Sequence, residues 1–186
     1  MNREFPSRLF VGRAYRLLPD LLPKGRVVVI TDANIDRLYP DLVRGYEHII
    51  IGGGEASKSL HTVEDIYRKL MEMGADRSTF ILGIGGGSVL DAAKAVAIYA
   101  SNPDLAPIDI YKREYNNPPL PVALIGTTAG TGSEVTAVAV LTNDETGIKK
   151  SISGPDCYAK ISFCDPKYTA TMPYKTTVSH QYDLWP

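Results

Sequence analysis

The chain is poor in the residues that mark several common protein classes. Only two of its 186 residues are cysteine, Cys157 and Cys164, and their spacing suits neither a metal finger nor a disulfide framework. They read as buried free thiols in a reducing cytoplasm. The three histidines, His48, His61 and His180, are scattered along the chain, and His48 and His61 read as structural or solvated. No apolar run approaches the roughly 20 residues that cross a bilayer. The opening residues Met1-Asn2-Arg3-Glu4-Phe5-Pro6 lack the apolar core of a signal peptide. Net charge is −1 at neutral pH, which leaves no electrostatic pointer to nucleic acid or to an anionic membrane. Internal repeats, low-complexity tracts and the GxGxxG fingerprint are missing too. These absences leave a cytoplasmic globular protein of one domain, or one domain plus the stub of another.

What is present is an alternation of strand and helix signals. Arg26-Val27-Val28-Val29-Ile30-Thr31 is apolar, β-branched and short, as a strand buried on both faces should be. Glu47-His48-Ile49-Ile50-Ile51, Ser78 to Ile84 and Pro121-Val122-Ala123-Leu124-Ile125 repeat that signal. Between the second and third lies a predicted helix, Thr62 to Met73, with Val63, Ile66, Tyr67, Leu70 and Met71 at helical spacing and Gly74 as its stop. Another helix is predicted over Ser88 to Ala97, where Ser88 and Asp91 have capping-box spacing and many alanines allow close approach to a sheet. Val135–Thr142 and Gly147–Ser153 flank Asn143-Asp144-Glu145-Thr146, the pattern of an antiparallel hairpin. Lys160 to Cys164 reads as a strand returning to the sheet, Asp165-Pro166 as the start of a short helix, and Pro103 to Pro119 as a surface excursion. The fold class is therefore α/β: a doubly wound, mostly parallel, Rossmann-like sheet with an added β-hairpin.

Two glycine-rich segments follow directly on predicted strands. Gly85-Gly86-Gly87 allows close backbone approach to a ligand, and a helix beginning at Ser88 aims its dipole and free amides at the same spot. The plainer reading is a tight strand-to-helix turn. Thr127, Thr128, Thr131 and Ser133, interleaved with Gly126, Gly130 and Gly132, form a donor-rich loop at the carboxyl edge of the sheet, where open α/β folds bind ligands. Asp32 ends the first buried strand; it suits the hydroxyls of an adenine ribose, or equally an N-cap for the following helix. Glu55 and Lys58, within Gly52 to Lys58, form a second polar loop at that edge, and Lys150 offers a positive charge from the hairpin or a solvated strand end.

These stretches carry a resemblance. Gly85-Gly86-Gly87-Ser88-Val89-Leu90-Asp91-Ala92-Ala93-Lys94 and Thr127-Thr128-Ala129-Gly130-Thr131-Gly132-Ser133-Glu134-Val135-Thr136 resemble the two signatures of the iron-containing alcohol dehydrogenases, and Asp165-Pro166 through Met172-Pro173 is similar to their interdomain linker. Thr31 to Tyr39, Gly54 to Leu60 and Gly74 to Ser78 look instead like 3-dehydroquinate synthase, a member of the same superfamily, but the loop after Thr128 has the dehydrogenase pattern. The resemblance implies NAD, in preference to NADP, held by Asp32, Gly85, Gly86, Gly87, Ser88, Asp91, Thr127, Thr128, Thr131, Ser133 and Lys150. It implies a small alcohol or aldehyde substrate and a divalent metal, Fe2+ or Zn2+, held by one aspartate and three histidines. Asp183 falls where that aspartate is expected, but Leu184-Trp185-Pro186 follows in place of the family's Ala and later histidine. His180 and Asp183 alone do not close a metal cage. The expected division is a dinucleotide-binding domain over 1–165 and, over 166–186, a linker and stub of an absent helical metal-binding domain. A homo-oligomer formed through the strand near Phe5 to Gly12 is expected, with no nucleic-acid or membrane partner. The expected function is the cofactor half of an alcohol dehydrogenase; the alternatives are a synthase-like lyase and a non-catalytic nucleotide-binding module.

Overall fold

The computed structural model describes residues 6–175 and 177–178. In chain order the strands are β1 Arg8–Val11, β2 Val27–Asp32, β3 Glu47–Ile51, β4 Phe80–Gly85, β5 Val122–Gly126, β6 Val138–Thr142, β7 Lys149–Ser153 and β8 Ile161–Cys164. The helices are α1 Ala14–Leu21, α2 Ala33–Leu38, α3 Pro40–Val43, α4 Leu60–Glu72, α5 Gly87–Ser101 and α6 Pro166–Thr169. Six strands form one parallel sheet in the order β1-β8-β5-β4-β2-β3, and β6 and β7 form a separate antiparallel pair. The doubly wound sheet, the hairpin and the returning strand expected at Lys160 to Cys164 are all present.

Each face of the sheet buries its own apolar core. On one face Val28, Ile30, Ile81 and Leu124 meet α4, α5 and the hairpin residues Ala139, Leu141 and Ile152. On the other, Val29, Leu82, Ile84 and Ile125 meet α1, α2, α3 and Tyr168 of α6. The central strands β2, β4 and β5 are buried on both faces, which their unbroken apolar runs require. One expectation needs correction here. β3 is not such a strand, because it lies at the sheet edge and pairs only with β2; Ile49 and Ile51 are buried while Glu47, His48 and Ile50 face solvent.

α4 begins two residues before its predicted start, capped by the Ser59 hydroxyl, and it ends at Gly74, whose φ of +72° suits glycine. α5 is unusual in being buried almost all round. The sheet covers one side and the hairpin the other, and the small alanines permit both. Gly83 on β4 completes that fit: a Cβ there would stand 2.9 Å from the Cβ of Ala93 and 2.8 Å from Cδ2 of Leu124. The 103–119 excursion is not wholly superficial, since a 3-10 turn at Pro107–Lys112 sends Ile110 into the core.

The winding reverses between β2 and β4. From β2 the chain passes outward to β3, then crosses back to β4 on the other side of β2. The carboxyl ends of two strands at such a switch point are where open α/β sheets form their ligand crevice. The Thr31 hydroxyl donates to the carbonyl of Ile84 at 2.8 Å and pins them together there. A Gly83→Ala substitution is expected to cost about 1–3 kcal/mol, because Ala93 cannot retreat without moving α5. The check is a denaturant melt with a lower midpoint and an unchanged slope.

Candidate functional site

The strand ends at the switch point place the two glycine segments side by side. Gly85 and Gly126 are register partners, and the Thr127 amide donates to the Gly85 carbonyl at 3.0 Å. The hydroxyl loop then folds down onto the glycine triplet. A Cβ on Gly86 would lie 3.2 Å from the Thr128 side chain, and one on Gly87 would lie 3.1 Å from that of Thr131. Gly85 faces Val89 in the same way, at 2.6 Å. The bareness of the triplet thus serves a close loop-to-helix contact. Gly130 and Gly132 turn the loop with φ of +114° and +59°, conformations that side chains resist.

α5 starts in this crevice with no side-chain cap. Asp32 caps α2, Ser59 caps α4 and Asp165 caps α6, whereas α1 and α3 share with α5 the lack of a side-chain cap; α5 alone among those three starts at the switch point. The capping box expected of Ser88 and Asp91 does not form, because Gly86, two residues before Ser88, occupies the N-cap. Ser88 lies in the first turn and donates to Glu55 Oε1 at 3.4 Å. A 15-residue helix with its first-turn amides uncapped by any side chain carries a partial positive charge into the cleft.

Several expected contacts lie elsewhere. Asp91 does not face the crevice: it is 4% exposed, and its carboxylate accepts from the Ser133 hydroxyl at 2.6 Å and the Val140 amide at 3.1 Å. Ser133 is correspondingly turned inward. Lys58 pairs with Asp91 at 2.8 Å rather than reaching over the site. Lys150 lies over the ring of Tyr111, 5.7 Å from its centroid. Its neighbour Lys149 is the hairpin lysine that pairs with Glu55, at 2.7 Å. Alternation along a strand sends the two lysines to opposite faces. The bond from Lys149 is the main cause holding the Glu55 carboxyl below its ordinary range. Asp32 has taken the capping role, its Oδ1 accepting from the amides of Asn34 and Ile35 at 2.8 and 3.1 Å.

Two groups escaped notice in the sequence. Lys94 is 2% exposed and donates to Ser133 Oγ, the Thr136 carbonyl and the Val138 carbonyl. Desolvation depresses its pKa, with the Asp91 charge opposing. Its signal was the spacing of one helical turn between an acid and a base in an otherwise apolar helix. Glu134 lies against Gly126, accepts from the Cys164 thiol at 3.5 Å, and leaves its buried Oε2 without a hydrogen-bond partner. Among the described residues no group of three or more histidines, cysteines and carboxylates is placed to hold a metal. Asp183 and His180 lie outside the described residues.

A parallel, doubly wound sheet whose switch point faces an uncapped helix start defines a Rossmann-like α/β domain. Over residues 6–166 the chain matches the iron-containing alcohol dehydrogenases, and it belongs to that family. It is 35% identical over 143 residues to a sulfoacetaldehyde reductase of Bilophila wadsworthia, covering 76% of this chain and 36% of that protein. It is 34% identical over 158 residues to NADH-dependent butanol dehydrogenase B of Clostridium acetobutylicum, covering 83% and 38%. The crystal structure of NADH-dependent butanol dehydrogenase A from Thermotoga maritima superposes with a TM-score of 0.83 at 25% identity, covering 98% of this chain and 48% of that one. The chain thus spans well under two thirds of the length of these relatives. No helix among the described residues is long and apolar enough to cross a membrane.

Burial raises the thiols of Cys157 and Cys164 to about 11, aided at Cys164 by the neighbouring Glu134 charge. At pH 8 about a thousandth of each would be thiolate, the reactive form. Disulfide-exchange reagents are expected to label the native protein at least ten-fold more slowly than the urea-unfolded chain, with both thiols released on unfolding.

Proposed function

We propose that this chain is the cofactor-binding half of a metal-dependent, NAD-linked alcohol dehydrogenase. The observation that carries the reading is the uncapped start of α5 at the switch point, lined by the glycine triplet and roofed by the hydroxyl loop. Backbone donors at a helix start suit a pyrophosphate. Gly86, Gly87 and Ser88 would hold it through their amides, with Thr127, Thr128 and Thr131 on the loop side. Lys149, released from Glu55, would add the positive charge expected of Lys150. Asp32 would receive the adenine ribose on the carboxylate oxygen that the α2 cap does not use, and its charge would repel the extra phosphate of NADP.

NAD, when bound, supplies the hydride acceptor on its nicotinamide ring. This chain's residues bind and orient it, and the packed loop and hairpin limit water around the diphosphate. The described residues do not fit a metal site, so no step is assigned to a metal here. Fe2+ or Zn2+ and the small alcohol or aldehyde substrate belong to the longer enzyme, and the proposed division is 1–165 for the cofactor domain and 166–186 for a linker and stub. Assembly as a homo-oligomer through β1 is supported by its edge position and by Leu9 and Val11, which are 47% and 79% exposed. A reducing cytoplasm suits the two free thiols. The lyase reading loses support from the pairing of Lys58 with Asp91, which removes that lysine from any substrate phosphate.

Calorimetric titration with NAD, NADP and ADP-ribose tests the cofactor assignment. NAD and ADP-ribose are expected to bind, with NADP at least ten-fold weaker; heat from none of them would overturn the reading. Asp32→Ser keeps the cap and is expected to narrow the NAD/NADP ratio to within about three-fold, with about 0.5 kcal/mol lost at the α2 terminus. Little or no alcohol oxidation is expected from this chain alone with NAD and added iron. Sustained turnover there would show that it is more than a cofactor half.

A further inference from the structure

Asp91 and Lys94 sit one turn apart on α5, where the surrounding positions are almost all small or apolar. A buried lysine is costly, since desolvation of an ammonium must be met by full pairing. An alanine or leucine at position 94 would avoid that cost. The pairing here is specific. All the donors of Lys94 point to one segment: Ser133 Oγ at 3.1 Å, the Thr136 carbonyl at 3.1 Å and the Val138 carbonyl at 2.8 Å. An ammonium has three protons, so these partners satisfy it. Asp91 itself is 3.9 Å away and takes other partners of the same segment, the Ser133 hydroxyl and the Val140 amide.

Asp91 also receives Lys58 at 2.8 Å, and the Lys58 carbonyl accepts the Thr142 amide at 2.8 Å. The loop after β3, the loop after β5 and the helix after β4 therefore meet at one buried carboxylate. The loop after β5 needs such an anchor. Its glycines give it a large conformational entropy to lose on ordering, and the amide of Thr127 ties its near end to Gly85.

Building on the cofactor reading above, we infer that Asp91 and Lys94 are positioning residues: they fix the far end of the hydroxyl loop so that Thr128 and Thr131 stand over the start of α5. Neither touches the ligand. Their contribution to binding is the ordering of the loop before the ligand arrives.

The test is Lys94→Met, which keeps an unbranched chain and removes the donors, with Ser133→Ala as a milder variant that cuts the shared link. Native-state amide hydrogen exchange is read at Val135 and Val140 on the loop side and at Val28 and Leu82 in the sheet. In Lys94→Met the loop amides are expected to exchange at least ten-fold faster while the sheet amides do not change. Ser133→Ala is expected to move the same amides in the same direction by a smaller factor, and it decides the matter if Lys94→Met does not fold. Calorimetry is expected to give at least ten-fold weaker NAD binding in Lys94→Met, and no further loss when Ser133→Ala is combined with it. Loop exchange equal to wild type, or acceleration of loop and sheet alike, overturns the anchoring. Wild-type protein that fails to bind NAD overturns the cofactor reading instead, and the exchange measurement still decides whether the two residues hold the loop.

Discussion

The close seating of α5 between the sheet and the hairpin is the constraint on which the rest of this domain depends. Gly83 and Ala93 let the helix approach β4 and β5, and Ala139, Leu141 and Ile152 cover it from outside. A helix clamped on both sides holds its first turn steady. That first turn is the part of the molecule suited to a phosphate group. The geometry of the crevice is thus a product of core packing as much as of the residues that line it.

Electrostatics act on the same helix from two directions. At its mouth, the Lys149–Glu55 pair lies exposed, where charge is screened and partners exchange readily. In its interior, Asp91 and Lys94 are shielded and saturated by the loop. The arrangement puts rigid, buried polar contacts behind the cleft and adaptable ones in front of it.

Much of the architecture was legible in the sequence because it is written in local periods. Unbroken apolar runs announced β2, β4 and β5, helical spacing announced α4, and Asp165-Pro166 announced the start of α6. The second glycine-hydroxyl stretch identified the family. What escaped was set by tertiary context. The exposed face of β3 follows from its edge position, which no local pattern encodes. Ser133 looked like its fellow hydroxyls until the buried Asp91 claimed it. Lys149 and Lys150 are indistinguishable in composition, and only the register of β7 against β6, with Lys149 opposite Thr142 and Lys150 opposite Leu141, decides which one reaches Glu55. Lys94 hid in a motif whose neighbours were more conspicuous.

The outer seam of the sheet joins the two ends of the described chain. β1 pairs only with β8, Arg8 opposite Ile161, and the Ala14 amide donates to Asp165 across the same seam at 2.9 Å. During synthesis the first strand therefore has no mate until nearly the whole domain has left the ribosome. Pairing across such a sequence separation is slow to form. The amino-terminal ribbon, with Leu9 and Val11 uncovered, must wait as an unsatisfied edge, the state most open to chaperone capture or to mispairing with a sister chain.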